Sequence, residues 1–147
     1  MGAIFNVKGG GTLKDVVYNL QLVFAALGGY IGWFLGGFDG FLYALVAFVV
    51  LDYITGVMVA TLEKKLSSEI GFKGIFKKVL IFMLVGIGHT VDCYIIGKGG
   101  AIRTAVIFFY LSNEGLSILE NAALVGLPIP EKLKGILLEF KEDGRNG

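Results

Sequence analysis

Apolar residues run along this chain in four long blocks, separated by short polar or glycine-rich breaks. A bilayer core about 30 Å thick is crossed by roughly 20 apolar residues in a helix. The blocks predict spans over about residues 16–35, 41–62, 79–96 and 101–125. Gly36, Gly37, Asp39 and Gly40 form the first turn, and Gly97, Lys98, Gly99 and Gly100 the third. A basic loop, Glu63 to Lys78, lies between the second and third spans. Gly126, Pro128 and Pro130 end the fourth, since proline lacks an amide donor and clashes with the preceding turn. Beyond them, Leu133, Ile136, Leu137 and Phe140 recur at helical spacing, with Lys132, Lys134, Glu139 and Lys141 on the other faces. The fold expected is an all-α integral membrane bundle of about four spans. Residues 1–15 are a cytoplasmic lead-in, 16–126 the bundle, and 127–147 a cytoplasmic amphipathic tail.

The spacing of polar residues inside the blocks carries the functional signal. A charge near the centre of a membrane helix costs on the order of 2.5–3.5 kcal/mol on insertion scales. Asp52, His89, Asp92 and Glu114 must therefore face partner helices or water. Asp52, Gly56 and Ala60 are four apart and make a small, polar stripe on span two, with Thr55 beside it. A structural aspartate capped by hydroxyls and amides is the plainer explanation of Asp52. His89 and Asp92 share a face of span three. Matched depth points to an Asp52–His89 hydrogen bond, and Asp92 is placed to reach Arg103. Asn113, Ser117, Glu120 and Asn121 share a face of span four, with Glu114 at its edge. These residues are the intramembrane polar and gating candidates. Gly28, Gly32 and Gly36, again four apart, would let another backbone approach closely. They are packing candidates, within the chain or between copies, together with Ala60. The tail residues Lys132, Leu133, Lys134, Ile136, Leu137, Phe140 and Lys141 suit a contact with the inner leaflet. Packing against the bundle's own ends is an equal alternative.

Composition agrees: hydrophobic residues make up 55% and mean hydropathy is +0.76. The net charge of +1 gives no basic domain for nucleic acid. Its distribution is more telling. Eleven lysines and arginines fall before span one, in the middle loop and in the tail, and two flank the third turn. The positive-inside bias puts both termini in the cytoplasm. The first apolar run is too long for a cleavable signal and lacks a small-residue cleavage site. Cys93 is the single cysteine and reads as a small packed hydrophobe. No nucleophile–base pair or metal-ligand cluster is legible, and Gly9-Gly10-Gly11 lacks the lysine of a phosphate loop. No catalysis, metal or cofactor is expected.

Several strings then point further. They are Leu51-Asp52-Tyr53-Ile54-Thr55-Gly56, the Ser67-Ser68 to Lys77-Lys78 segment, His89 and Asp92, and the run from Asn113 to Asn121 followed by Gly126-Leu127-Pro128-Ile129-Pro130. Over roughly residues 50–140 the chain resembles the phage lysis holins and clostridial toxin-secretion holins. The resemblance implies a homo-oligomer in the bacterial cytoplasmic membrane that opens lesions through which an endolysin or a large toxin leaves. A dimeric proton-coupled exporter and a non-conducting membrane scaffold are the alternatives that the residues leave open.

Overall fold

A computed structural model of the chain describes residues 12–97 and 99–146, with side chains through Glu139. Among the described residues five α-helices follow one another: α1 (Leu13–Phe34), α2 (Gly40–Leu62), α3 (Ser68–Val91), α4 (Ala101–Val125) and α5 (Glu131–Asn146). A π-helical turn, Asp92–Ile96, extends α3. Among the described residues three stretches are long and apolar enough to cross a membrane: Leu13–Phe34, Gly40–Leu62 and Ser68–Ile96. α4 has the length, but Arg103, Glu114 and Glu120 make it less apolar. One compact unit ends at Trp33 and holds nearly all of α1; the other begins at Phe34.

At the start of α1 the Asp15 carboxylate gathers two donors from Thr12. Thr12 donates its amide to Asp15 at 2.8 Å and its hydroxyl at 2.6 Å. Leu20, Phe24, Leu27 and Ile31 are among its many exposed apolar residues, as for a helix in hydrocarbon. The helix ends at Phe34, so Gly36 does not continue the Gly28–Gly32 face. Gly36 lies in the following turn at φ +81°, a conformation that disfavours side chains. The expected three-glycine stripe is thus two glycines on α1 and one turn residue.

In the second unit, α4 packs against α2, α3 and α5. Its core is Leu35, Leu42, Leu45, Val49, Ile81, Val85 and Ile107. α3 approaches α4 closely at Gly88, where an added Cβ would stand 3.1 Å from the Arg103 Cα. Gly86 leaves room for the Phe34 ring.

One boundary and one packing contact differ from the hydropathy reading. α3 begins at Ser68, eleven residues before the expected start of span three. Ser67 caps it, accepting a hydrogen bond from the Ile70 amide at 3.2 Å. Lysines 73, 77 and 78 are therefore helical, not part of a loop, which shrinks to residues 63–67. In α5, Leu137 is buried against Gly115 of α4 and is not free for a leaflet. Phe140 and Lys141, also assigned to the leaflet, lie outside the described side chains. So do most of the lead-in, including Lys8, and Lys98.

Candidate functional site

The early start of α3 puts a lysine where a loop had been expected. Lys78 lies 11 residues into the helix on the face toward α2 and α4. Its ammonium donates to both Asp52 of α2 and Glu114 of α4. All three side chains are largely buried, at 16%, 13% and 10% exposure. Asp52 and Glu114 thus meet at a single ammonium. Asn121, two turns beyond Glu114, extends the group. Its amide donates to the Thr55 hydroxyl at 3.0 Å and approaches Asp52 Oδ1 at 3.4 Å. Thr55 in turn donates to the Asp52 carbonyl at 3.1 Å.

Two cavities flank the cluster. One, of about 420 Å³, is lined by the three ionic groups with Lys77, Tyr110, Asn113 and Ser117. The other, of about 210 Å³, lies along the α2–α3 seam, where the Asp52, Gly56 and Ala60 stripe faces Gly71 and Gly74. The Tyr53 ring fills space left by Gly74. Of the sequence candidates, Asp52, Thr55, Gly56, Ala60, Asn113, Glu114, Ser117 and Asn121 thus converge on one region. Glu120 is exposed and turns instead to a separate cavity beside Glu131 and Lys134.

His89 is not in this group, and the expected Asp52–His89 bond is absent. Lys78 occupies Asp52, and His89 lies 11 residues further along α3, roughly 16 Å away at 1.5 Å per residue. The His89 ring instead contacts the Cys93 thiol at 3.6 Å and borders Gly36. Cys93 is exposed, not packed as expected.

The expected Asp92–Arg103 pair also takes another form. The Asp92 carboxylate accepts the backbone amides of Ile102 at 3.0 Å and Arg103 at 2.8 Å, capping the N-terminus of α4. The buried Arg103 guanidinium turns away. It donates to the carbonyls of Leu35 at 2.6 Å and Gly37 at 3.0 Å, and to Asp39 Oδ2 at 2.6 Å. The other oxygen of Asp39 caps α2 through the Leu42 amide at 2.9 Å. The hydrogen bond from Arg103 is the main reason the Asp39 carboxyl titrates below its ordinary range, against a smaller opposing effect of burial.

Sequence reasoning missed Lys78 and Asp39 as functional or structural partners. A signal for Lys78 was present: two inward acids on neighbouring helices require a cation, and Lys77-Lys78 adjoins an apolar run. Asp39 precedes Gly40 at a helix start, which is the position of an N-cap.

Comparison with known proteins places this architecture. The bacteriophage holin family model matches residues 29–142. An uncharacterised protein of Listeria innocua is 43% identical over 128 residues, covering 87% of this chain and 89% of its own length. An uncharacterised protein of Clostridium perfringens is 38% identical over 128 residues, 87% of this chain and 97% of its own length. A probable holin of Bacillus phage phi105 is 36% identical over 94 residues, 64% of this chain and 69% of its own length. No solved structure matches the chain. The matched region takes in both polar clusters and all the helices that carry them, and on that similarity the chain belongs to the bacteriophage holin family.

Proposed function

We propose that the chain is a holin that oligomerises in the bacterial cytoplasmic membrane and opens lesions for an endolysin or a large secreted toxin. α1 to α4 cross the bilayer in this reading, and both termini are cytoplasmic. Lys64, Lys65, Lys132 and Lys134 at one end of the bundle, with Arg103 sequestered at the other, support that orientation. The protein acts by assembly with copies of itself in lipid, not by catalysis. α5 tunes the assembly from the cytoplasmic side.

The observation that carries the reading is the inward polar seam of a holin-family chain. Asp52, Lys78, Asn113, Glu114, Ser117 and Asn121 lie between helices whose outer faces are apolar. Such a seam is hidden from lipid while the helices stay together. When neighbouring copies separate the helices, the same side chains form a wall that meets water.

Expression in a bacterium with and without a co-expressed endolysin tests this. An abrupt loss of viability, with cell lysis only when the endolysin is present, is the expected outcome. Resistance to a toxic compound without lysis would mark an exporter, and neither effect would mark a scaffold; both overturn the reading.

A further inference from the structure

The two ionic clusters of the second unit have the same formal composition and different surroundings. Each holds two carboxylates and one cation: Asp39 and Asp92 with Arg103, and Asp52 and Glu114 with Lys78. Each is therefore one positive charge short. At the Arg103 cluster both carboxylates cap helices, α2 and α4. A helix N-terminus carries the equivalent of about half a positive charge, so the two together supply the missing unit. At the Lys78 cluster no helix begins. Asp52, Lys78 and Glu114 all lie well inside α2, α3 and α4, where every backbone amide is already committed.

The remaining neighbours do not supply a charge. From α2 the facing titratable groups are Asp52 and Tyr53; from α3, Lys77 and Lys78; from α4, Tyr110 and Glu114. Lys77 is exposed and makes no ion pair with either carboxylate. α5 meets α4 at Gly115 with the apolar Leu137. Asn121 and Thr55 are neutral. A lone uncompensated charge among packed helices is expensive, and such sites neutralise themselves by taking up a cation. One ammonium meets both carboxylates, so the two acids stand side by side and share a single positive charge. A metal ion would need three or more ligands, and among the described residues no such group is present, so the cation that fits is a proton placed on a carboxylate oxygen.

We infer that the Asp52–Glu114 pair is a proton-binding site that holds one shared proton per chain while Lys78 remains an ammonium. Binding is an addition of H⁺ to a carboxylate oxygen, and no other bond breaks. The resulting O–H donates to the second carboxylate, and the cluster becomes neutral. The cavity of about 420 Å³ beside Lys77, Asn113 and Ser117 is the polar route by which the proton enters and leaves. Loss of the proton leaves one net negative charge between α2 and α4.

The inference rests on the reading of these helices as membrane-embedded, and its test does not depend on lysis. The full chain is purified in lipid nanodiscs, and infrared spectra are recorded from mildly acidic to alkaline pH. The wild type shows the carbonyl stretch of a protonated carboxylic acid at neutral pH, and the band disappears at alkaline pH. Asp52→Asn and Glu114→Gln each leave one carboxylate facing Lys78 and lose the band at neutral pH. Lys78→Met removes the competing ammonium and keeps the band to more alkaline pH than the wild type. A folded wild type without the band at neutral pH overturns the site, as does a band unchanged in both carboxyl variants. A chain that lyses cells but lacks the band keeps the holin reading and loses the proton. One that shows the band and never lyses does the reverse.

Discussion

The Arg103 cluster and the Lys78 cluster lie 11 residues apart along α4, from Arg103 to Glu114, and they hold the bundle in opposite ways. Arg103 ties side chain to backbone. Its fork fits two carbonyls and a carboxylate at once, across the turn that joins α1 to α2. A planar, always-charged guanidinium with fixed donor directions makes such a site rigid. Lys78 ties side chain to side chain. Its ammonium is a compact point charge on a flexible stem, and each of its partners belongs to a different helix. The first arrangement fixes loops relative to one another. The second holds three helices through side-chain contacts alone. For the holin proposed above, this division leaves one end pinned and the middle releasable.

Breaking the pinned end should have the largest effect. Arg103→Leu leaves the Leu35 and Gly37 carbonyls without donors and Asp39 without its cation. Removing one partner of a buried, hydrogen-bonded charge typically costs about 3–5 kcal/mol. A fall in melting temperature in micelles and poor accumulation in membranes are expected. A variant as stable as the wild type would mean that the clamp holds nothing together.

The releasable middle should respond by a different rule. Lys78→Met alone strands two buried acids and should destabilise by about 3 kcal/mol. Lys78→Met combined with Asp52→Leu and Glu114→Met removes every charge of the cluster. Because replacing a whole buried ionic group by apolar residues of similar volume is often neutral or stabilising, the triple variant should melt at or above the wild-type temperature. A triple variant less stable than the single would show that the ions do more for folding than their desolvation takes away. With its seam uncharged, the triple variant should also lyse cells late.

A smaller effect is expected from the contact that brings α3 beside Arg103. Gly88→Ala places a Cβ 3.1 Å from the Arg103 Cα and 3.2 Å from its amide nitrogen. Backbone cannot move aside as a flexible side chain would, and overpacking costs about 1–3 kcal/mol. Thermal melts of this variant against Gly74→Ala sharpen the comparison. At Gly74 the added Cβ meets only the Tyr53 ring, which can rotate, so the loss should be less.

Much of this was legible in the sequence, and the gaps have physical causes. α2 and α4 were delimited to within a residue, because glycine turns and prolines bound them sharply. Asp52 and Glu114 were expected to face partner helices or water, since a lipid-facing charge is too costly. The start of α3 was missed because Lys73, Lys77 and Lys78 lower hydropathy without breaking a helix; lysine is a good helix former. That one error misplaced the partner of Asp52, substituting His89 for a lysine counted as loop. Asp92 was expected to meet the Arg103 side chain and meets the Ile102 and Arg103 amides instead, because periodicity cannot show whether a carboxylate meets a guanidinium or the free amides at a helix start. The glycine series failed at Gly36 for a similar reason. Fourfold spacing continues on paper past the point at which positive φ ends the helix.

The smallest expected effect separates the ionic part of the clamp from its backbone part. Asp39 is half-exposed, so its pairing with Arg103 is screened and should contribute only about 0.2–1 kcal/mol. Its carboxyl titrates below the ordinary value of about 3.9 because the folded state favours the charged form. The stabilisation is then fully present above that ordinary value. It is lost as the pH falls through the lower folded-state value, where the carboxylate is protonated. Asp39→Asn keeps an oxygen to cap α2 at Leu42 and removes only the charge. Wild type and variant should therefore differ slightly at neutral pH and converge in acid. A difference that stays constant across that range would assign Asp39 to capping alone and leave Arg103 held by the carbonyls of Leu35 and Gly37.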